Sequence, residues 1–191
     1  ANNLAVKGTY RAFGRRSSRI VASAIEHASV LHAAASLSDE GAELVKIQVD
    51  SQGRLDLDHL TAELARGASL VSVMHGNPEV GTVQNVTEIV TIARRAGVPI
   101  HCDATSTAGL YPGLWESLEV DFMTLAPHLF HGPKGIAALI VRRATRIRPQ
   151  IEGGVQEGGL RAGTPNVGLA AGFPEAARLA PASGPAAVAP S

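Results

Sequence analysis

Residues 69–106 read SLVSVMHGNPEVGTVQNVTEIVTIARRAGVPIHCDATS, and this stretch decides the fold class. An apolar run over 69–74 predicts a buried strand, and a turn-rich loop follows it. Residues 87–96 have helical periodicity and end at Gly97, a residue typical of helix C-termini. A second apolar run, 98–103, predicts the next strand. Strand, helix and strand in this order form a βαβ unit, whose two strands lie parallel.

The same alternation of strand and helix continues on both sides of this stretch. We therefore predict an α/β fold, a three-layer sandwich around a mixed, mostly parallel sheet. Ile136 follows Leu125 after about ten residues without a helical pattern, so the last two strands are predicted to pair antiparallel. Further strands are predicted at 19–23, 43–49, 120–125 and 136–142, and further helices at 28–40, 56–67 and 169–179.

The composition is that of a folded globular protein. Of 191 residues, 45% are hydrophobic and 18% are charged, with 17 basic against 17 acidic side chains. This composition excludes wholesale disorder, and the zero net charge disfavours a nucleic-acid-binding protein. We expect one domain over 1–179 and an Ala/Pro-rich tail over 180–191.

The apolar stretches and the single cysteine indicate the cellular compartment of the protein. No stretch reaches the roughly 20 apolar residues that a membrane helix needs, and no signal peptide is recognisable. One cysteine, Cys102, excludes an internal disulfide and a four-cysteine zinc site. We expect a cytoplasmic protein without a membrane or a nucleic-acid partner.

Polar side chains follow four of the predicted strands. Ligands of open parallel α/β sheets bind beyond the carboxyl ends of the strands, so these side chains are expected to meet at one edge of the sheet. Their convergence predicts a binding or catalytic site. The four groups are Glu26-His27, His75-Gly76-Asn77, Asp103-Ala104-Thr105-Ser106 and His128-Leu129-Phe130-His131.

Five segments, taken in order along the chain, resemble cysteine desulfurases. These are fold-type-I pyridoxal-phosphate (PLP) enzymes of the class V aminotransferase group. The resemblance extends over about residues 1–179 and implies the large, cofactor-binding domain of a PLP-transferase fold. The segments are Glu26-His27, MHGNPEVGTVQ at 74–84, HCDAT at 101–105, HLFHGPKG at 128–135 and RAGTP at 161–165.

The resemblance implies roles for individual residues. His27 would stack on the PLP ring, Asp103 would bind the pyridine nitrogen, and His128 would lie beside the phosphate group. Asn77 and Ser106 fall in segments that contact the cofactor in the family. PLP needs such partners, because a carboxylate at its ring nitrogen holds the proton that makes the ring an electron sink.

Thr164 has an implied role in a neighbouring subunit, where it would reach the phosphate group of the cofactor. The resemblance therefore implies a homodimer, or a pairing with a related chain. It also implies a small amino-acid substrate if the protein is active.

Four positions depart from the family pattern. Leu129 stands where the family has its Schiff-base lysine, and Pro78 where it has an asparagine directed at the PLP phenolic oxygen. Ser106 replaces a glutamine, and Ala126 replaces a phosphate-binding serine. The family's phosphate loop would precede Ala1, and its catalytic-cysteine loop would follow the last residue, so we expect neither in this sequence.

If the protein is active, a lysine and a cysteine at other positions would have to take over the two catalytic roles. The sequence has three lysines, Lys7, Lys46 and Lys134. Lys134 matches a second, structural lysine of the family, and a Schiff-base role for it is disfavoured; Lys7 and Lys46 lie on peripheral segments. Cys102 is no substitute for the catalytic cysteine, because strand alternation points it away from the face of Asp103.

Three hypotheses follow. The chain is a degenerate desulfurase-like domain, catalytically silent alone, that acts as a partner or scaffold. Alternatively it is a working PLP-dependent protein that binds the cofactor non-covalently, uses Lys134 or borrows groups from a second chain. In the third, the vacated pocket binds a metal or another ligand, for which nitrogen and oxygen donors are available. These donors are His27, His75, Asp103, His128 and His131.

Overall fold

The sheet has six strands. The computed structural model describes residues 1–13, 17–111 and 113–180, and within them the strand order is β2-β1-β3-β4-β5-β6. Strands β1 to β5 are parallel, and β6 pairs antiparallel with β5. This confirms the predicted α/β class and the predicted antiparallel last pair. The strands are β1 Arg19–Ser23, β2 Glu43–Ile47, β3 Leu70–Met74, β4 Ile100–Asp103, β5 Phe122–Leu125 and β6 Ala138–Val141.

Helices cover both faces of the sheet and give the three layers. A π-helical turn, Leu4–Gly8, continues into α1 and packs with α2 on one face, while α3 and α4 pack together on the other. The last helix, α6, contacts a short 3-10 turn at Pro127–Phe130. The helices are α1 Thr9–Phe13, α2 Ala28–Ala35, α3 Leu57–Ala65, α4 Val86–Ala96, α5 Leu114–Ser117 and α6 Val167–Leu179.

Side-chain alternation along the strands divides the core in two. On one face Ile20, Leu70 and Phe122 pack against the first two helices. On the other face Val71 and Cys102, with their strand neighbours, pack against α3 and α4. Cys102 is fully buried there, on the face opposite Asp103, as strand alternation predicts.

The ends of several elements differ from the predicted bounds. The helix predicted over 28–40 ends at Ala35, and a separate 3-10 turn, Ser38–Glu40, leads to Gly41 with φ at 85°. Helix α6 begins at Val167, before the predicted position, because the side chain of Asn166 caps its N-terminus. Most strands are one or two residues shorter than predicted. A strand ends where its backbone pairing with the neighbouring strand ends, even if apolar residues extend beyond that point.

Two further predictions concern the tail and membrane insertion. Residues 181–191 of the predicted tail lie outside the described residues. Among the helices of the described residues, each is too short or too polar to span a bilayer. The glycine-rich segment 153–163 is largely irregular, with one 3-10 turn at Gln156–Gly159.

Candidate functional site

A cavity of about 500 Å³ lies at the carboxyl ends of β3, β4 and β5. Its volume is within the roughly 300–1,000 Å³ typical of small-molecule sites. Four of the residues predicted for the site line it: His27, Asp103, Ser106 and His128. The positions that depart from the family pattern line it as well, namely Pro78, Ser106, Ala126 and Leu129.

Asp103 is the last residue of β4 and forms part of the cavity floor. Its side chain is largely buried, with 7% of the residue exposed. Oδ1 accepts a hydrogen bond from the backbone N–H of Thr105 at 3.0 Å, and Oδ2 accepts one from Nδ2 of Asn2 at 2.6 Å. The carboxylate is thus held in place by two donors and remains accessible from the cavity.

His27 lies at the start of α2, where it caps the helix. Its Nδ1 accepts a hydrogen bond from the backbone N–H of Ser29 at 3.2 Å, so a neutral His27 carries its proton on Nε2. The hydroxyl of Ser29 is 2.8 Å from the same nitrogen and also 2.8 Å from Nδ2 of Asn2. Asn2 and Ser29 therefore connect His27 with Asp103 through hydrogen bonds.

Sequence reasoning missed Asn2 and Ser29, which both line the cavity. Thr105, which the sequence places two residues after Asp103 in the strand-end group 103–106, lines it as well. Asn2 is 101 positions away from Asp103. Such a separation leaves no local pattern in the sequence, so only the folded chain reveals this contact.

His128 and Leu129 lie on the 3-10 turn Pro127–Phe130. Pro127 favours the first position of this turn, because its fixed φ suits helical geometry. The turn ends at His131, whose φ of 64° is left-handed, and the N–H of Gly132 bonds to the carbonyl of Pro127 at 2.8 Å. His128 and Leu129 are both exposed and face the cavity.

Asn77 does not line the cavity, although it belongs to a segment expected to bind the cofactor. Its Nδ2 donates to the carbonyl of Ile25 at 3.0 Å. Its Oδ1 accepts from the N–H groups of Glu79 and Val80 at 2.8 and 3.1 Å. The side chain therefore stabilises the 76–83 loop, and its polar atoms are engaged there.

The lysines and Thr164 also lie away from the cavity. All three lysines are within the described residues, and none of them lines it. Lys134 is exposed in the turn before β6, and Leu129 occupies the cavity wall instead. Thr164 is exposed on the segment between the 3-10 turn Gln156–Gly159 and α6. Its implied contact with a second subunit stays a prediction.

Three of the residues suggested as metal ligands, His27, Asp103 and His128, line the cavity, but they are not arranged as a metal site. His75 points to the other side of the sheet, where its Nδ1 is 2.9 Å from the hydroxyl of Thr107 and its ring packs edge-on against Tyr111. Over residues 1–13, 17–111 and 113–180, no group of three His, Cys, Asp or Glu side chains is arranged to hold a metal ion. The structure therefore does not support the metal hypothesis.

A buried chain of hydrogen bonds lies beneath the cavity. Oγ of Ser72 is 2.8 Å from Nδ1 of His101, and Nε2 of His101 is 2.9 Å from Oγ1 of Thr124. Burial lowers the pKa of His101 to about 4, so the imidazole is neutral at physiological pH. Thr124 lines the cavity, and the chain thus leads from the interior of the sheet to the site.

Glu26 lies at the inner end of this chain. Its carboxyl group is beside the hydroxyl of Ser72 and the backbone N–H groups of His27 and Met74. Neither oxygen makes a well-formed hydrogen bond. Burial, and secondarily the negative charge of Asp103, raise the pKa of Glu26 to about 8, so the group is protonated at neutral pH.

The polar side chains that line the cavity fit the ring of PLP. A buried carboxylate and an imidazole at strand ends suit the ring nitrogen and the ring face. Bound there, PLP would supply an electron sink. The lining contains no lysine, so the residues fit PLP held without a covalent bond and do not fit the lysine-bound form.

Solved structures share this fold. A NifS-like protein superposes with a TM-score of 0.85 and 37% identity, over 94% of this chain and 50% of that one. DndA from Streptomyces lividans gives a TM-score of 0.85 with 33% identity, over 93% and 52% of the two chains. The fold, with Asp103 and His27 at the cavity, defines the large domain of the fold-type-I PLP class.

Sequence comparison gives the family within this class. The family model for class V aminotransferases matches residues 1–189. The cysteine desulfurase IscS of Anaeromyxobacter sp. strain Fw109-5 is 42% identical over 188 residues, which are 97% of this chain and 46% of the relative. The chain belongs to the class V aminotransferase family and is cysteine desulfurase-like. It spans about half the length of the curated relatives it matches.

Proposed function

We propose that this chain is a desulfurase-type cofactor domain that is catalytically silent by itself and acts as a partner or scaffold. The observation that carries the proposal is Leu129, which lines the cavity at the position of the family's lysine, while all three lysines lie elsewhere. Pro78 and Ala126 line the same cavity and lack the polar groups that the family has there. The replacements thus converge on one binding site.

The binding free energy lost with the missing polar contacts supports this proposal. A polar contact contributes about 1 kcal/mol, and more when it is charged. Losing two or three of them lowers affinity by roughly one to two orders of magnitude, at about 1.4 kcal/mol per decade. The missing lysine removes in addition a covalent anchor and a proton carrier, and general acid–base catalysis contributes roughly 10²–10⁴ in rate.

A second candidate function is favoured by Asp103 and His27, which are still present. In it, the cavity binds PLP non-covalently: His27 stacks on the ring, and Asp103 holds the proton at the ring nitrogen. Ser106 and His128 line the same cavity and would contact the cofactor there. An amino-acid substrate would then be processed with groups supplied by a second chain.

Under either candidate function, the partner would be a second copy of this chain or a related chain. Thr164 is exposed and faces no group of its own cavity, which leaves it available to another subunit. The homodimer and a cytoplasmic location are part of the proposal.

Absorbance spectroscopy with added PLP tests the proposal. The wild-type protein is expected to give no band of a lysine-bound Schiff base, because no lysine faces the cavity. The substitution Leu129→Lys places an amine on the cavity wall, and we expect it to produce this band, which borohydride reduction makes permanent. A mass increase of one reduced PLP at residue 129 would locate the bond.

Leu110→Lys is the matched control. Leu110 and Leu129 are exposed to a similar extent, 50% and 55%, but Leu110 lies outside the cavity. We expect no band from it. A band in the wild-type protein that disappears in Lys134→Ala would refute the silent form, and retention of PLP in equilibrium dialysis without any band would favour the second candidate.

A further inference from the structure

Asn2 contacts Asp103 directly and His27 through Ser29, and these are the two side chains suited to a cofactor ring. It precedes the π-helical turn Leu4–Gly8 and lines the cavity. Its Nδ2 is 2.6 Å from Oδ2 of Asp103 and 2.8 Å from Oγ of Ser29. An amide nitrogen carries two hydrogens, so one amide group bridges the end of β4 and the first turn of α2 with both of its donors.

The chemistry of Asp103 determines which end of the Asn2 amide faces it. A carboxylate oxygen only accepts hydrogen bonds, and an amide oxygen in the same place would face it without a hydrogen between the two atoms. The other carboxylate oxygen, Oδ1, accepts from the backbone N–H of Thr105 at 3.0 Å. Donors on both oxygens oppose rotation of the carboxylate, and each oxygen keeps a lone pair for a ligand in the cavity.

The second hydrogen of the Asn2 amide acts on His27 through Ser29. Because Oγ of Ser29 accepts from Asn2, the hydroxyl hydrogen is left for Nδ1 of His27, which is 2.8 Å away. The backbone N–H of Ser29 donates to the same nitrogen at 3.2 Å. Two donors thus hold one edge of the imidazole ring, and Asn2 orients one of them.

We propose that Asn2 is a positioning residue that fixes Asp103 and His27 relative to one another. The cavity then presents a carboxylate and an imidazole as one unit, which suits a planar ring whose nitrogen carries a proton. The inference rests on the second candidate function, because it concerns the same ring-binding side chains. Without the Asn2 amide, only one carboxylate oxygen keeps its donor, and the hydroxyl of Ser29 is free to turn away from the imidazole.

Nitrogen-15 NMR of the ligand-free protein tests the positioning role through two backbone amides. The amide of Thr105 donates to Asp103 and reports the carboxylate. The amide of Ser29 donates to His27 and reports the imidazole. In the wild-type protein, Asp103→Ala is expected to shift the Ser29 amide resonance, because the Asn2 amide loses one acceptor and changes its contact with the other. In the Asn2→Leu background the same substitution should shift it less than about half as far, since the link between the two sites is missing.

Asn3→Leu is the matched control. Asn3 is the same residue type at the neighbouring position and also lines the cavity, but its side chain takes part in none of these hydrogen bonds and does not cap the following turn. In this background Asp103→Ala should shift the Ser29 amide as far as it does in the wild-type protein. A coupling that is lost in Asn3→Leu as well as in Asn2→Leu would refute a specific role of Asn2.

The reverse measurement keeps the test valid if Asp103→Ala fails to fold. His27→Ala is expected to shift the Thr105 amide in the wild-type protein, and to shift it less than about half as far in Asn2→Leu. Shifts of equal size in the two backgrounds, or no shift in either, overturn the positioning role.

Ligand selectivity tests the class of ring separately. The probes are PLP and its deaza analogue, in which carbon replaces the ring nitrogen. In equilibrium dialysis, wild-type and Asn3→Leu protein should bind PLP more tightly than the analogue by roughly tenfold or more, the contribution of one hydrogen bond to a charged group. In Asn2→Leu this preference should fall to within about threefold.

The two measurements separate this inference from the proposed function. Equal affinities for PLP and the analogue in the wild-type protein overturn the ring preference. Failure to bind either probe refutes the second candidate function, whereas the amide measurements, made without ligand, decide the role of Asn2 on their own.

Discussion

Single side chains at the cavity, and not the backbone fold, carry the proposed difference between this chain and its family. Leu129 stands on the same turn, next to the same histidine, as the family's lysine, and it lines the cavity. Asp103 and His27 keep positions suited to a pyridine ring. Under the proposed function, the cavity is retained while the lysine-dependent chemistry of the family is lost at this one residue.

The buried Glu26 predicts a pH dependence of stability. Its pKa in the folded protein, about 8, is above the ordinary value of 4.5, so the folded state binds the proton more tightly than the unfolded state. The free energy of unfolding must therefore fall as pH rises from about 4.5 to about 8. At about 1.4 kcal/mol per unit of pKa, the loss amounts to several kcal/mol.

Glu26→Gln is expected to remove this loss, because the amide stays neutral. Urea unfolding at a series of pH values should show the difference between variant and wild type growing in favour of the variant across this window and then levelling off. Glu79→Gln, at an exposed position, should give a constant difference. Parallel pH profiles for wild type and Glu26→Gln would contradict the assigned protonation state.

At the scale of elements, the turn Pro127–Phe130 depends on tight packing against α6. Phe130 lies 6.0 Å from Phe173 of that helix, measured between ring centroids. Gly132 lies between the two elements, where an added Cβ would be 2.4 Å from Cβ of Pro127 and 2.8 Å from Cβ of Ala176. Both neighbours are rigidly placed, so the glycine is required by the close approach.

Gly132→Ala is therefore expected to destabilise the protein. Overpacking of this kind costs about 1–3 kcal/mol, and it should displace the turn that carries His128 and Leu129. Thermal or urea unfolding measures the first effect. Gly168→Ala in α6 is the control, since its nearest neighbour would be 3.7 Å away and alanine gains up to about 1 kcal/mol in a helix. Equal stabilities of the two variants would refute the packing argument.

At the scale of the whole molecule, the exposed apolar side chains predict self-association. Ile151, Val155 and Val167 are 51%, 88% and 75% exposed, and they belong to the same segment as Thr164. Exposed apolar clusters mark interaction surfaces. We expect light scattering to give twice the mass of one chain at high concentration.

Val155→Asp is expected to weaken this association roughly tenfold or more, because a charge would be buried without a partner. Val80→Asp, at a site that is 58% exposed on a different loop, should have no effect. A monodisperse monomer at high concentration, or equal effects of the two variants, would contradict the proposed interface.

Sequence reasoning predicted the sheet and its antiparallel last pair, because apolar periodicity is a local property that reflects which face is buried. It located His27, Asp103, Ser106 and His128 at the cavity through strand ends and family resemblance. It did not find Asn2 or the Ser72–His101–Thr124 chain. These contacts join residues that are far apart in sequence, so no spacing rule marks them.

The α/β class, the family and the absence of a lysine at position 129 could all be predicted from the amino-acid sequence, since each depends on residue type in a local pattern. The folded chain was needed to show that all four departures line one cavity, that Asn77 and His75 do not, and that Glu26 is buried next to Asp103. The physical reason is that burial, charge proximity and hydrogen-bond direction arise between strands. They exist only once the sheet has brought distant residues together.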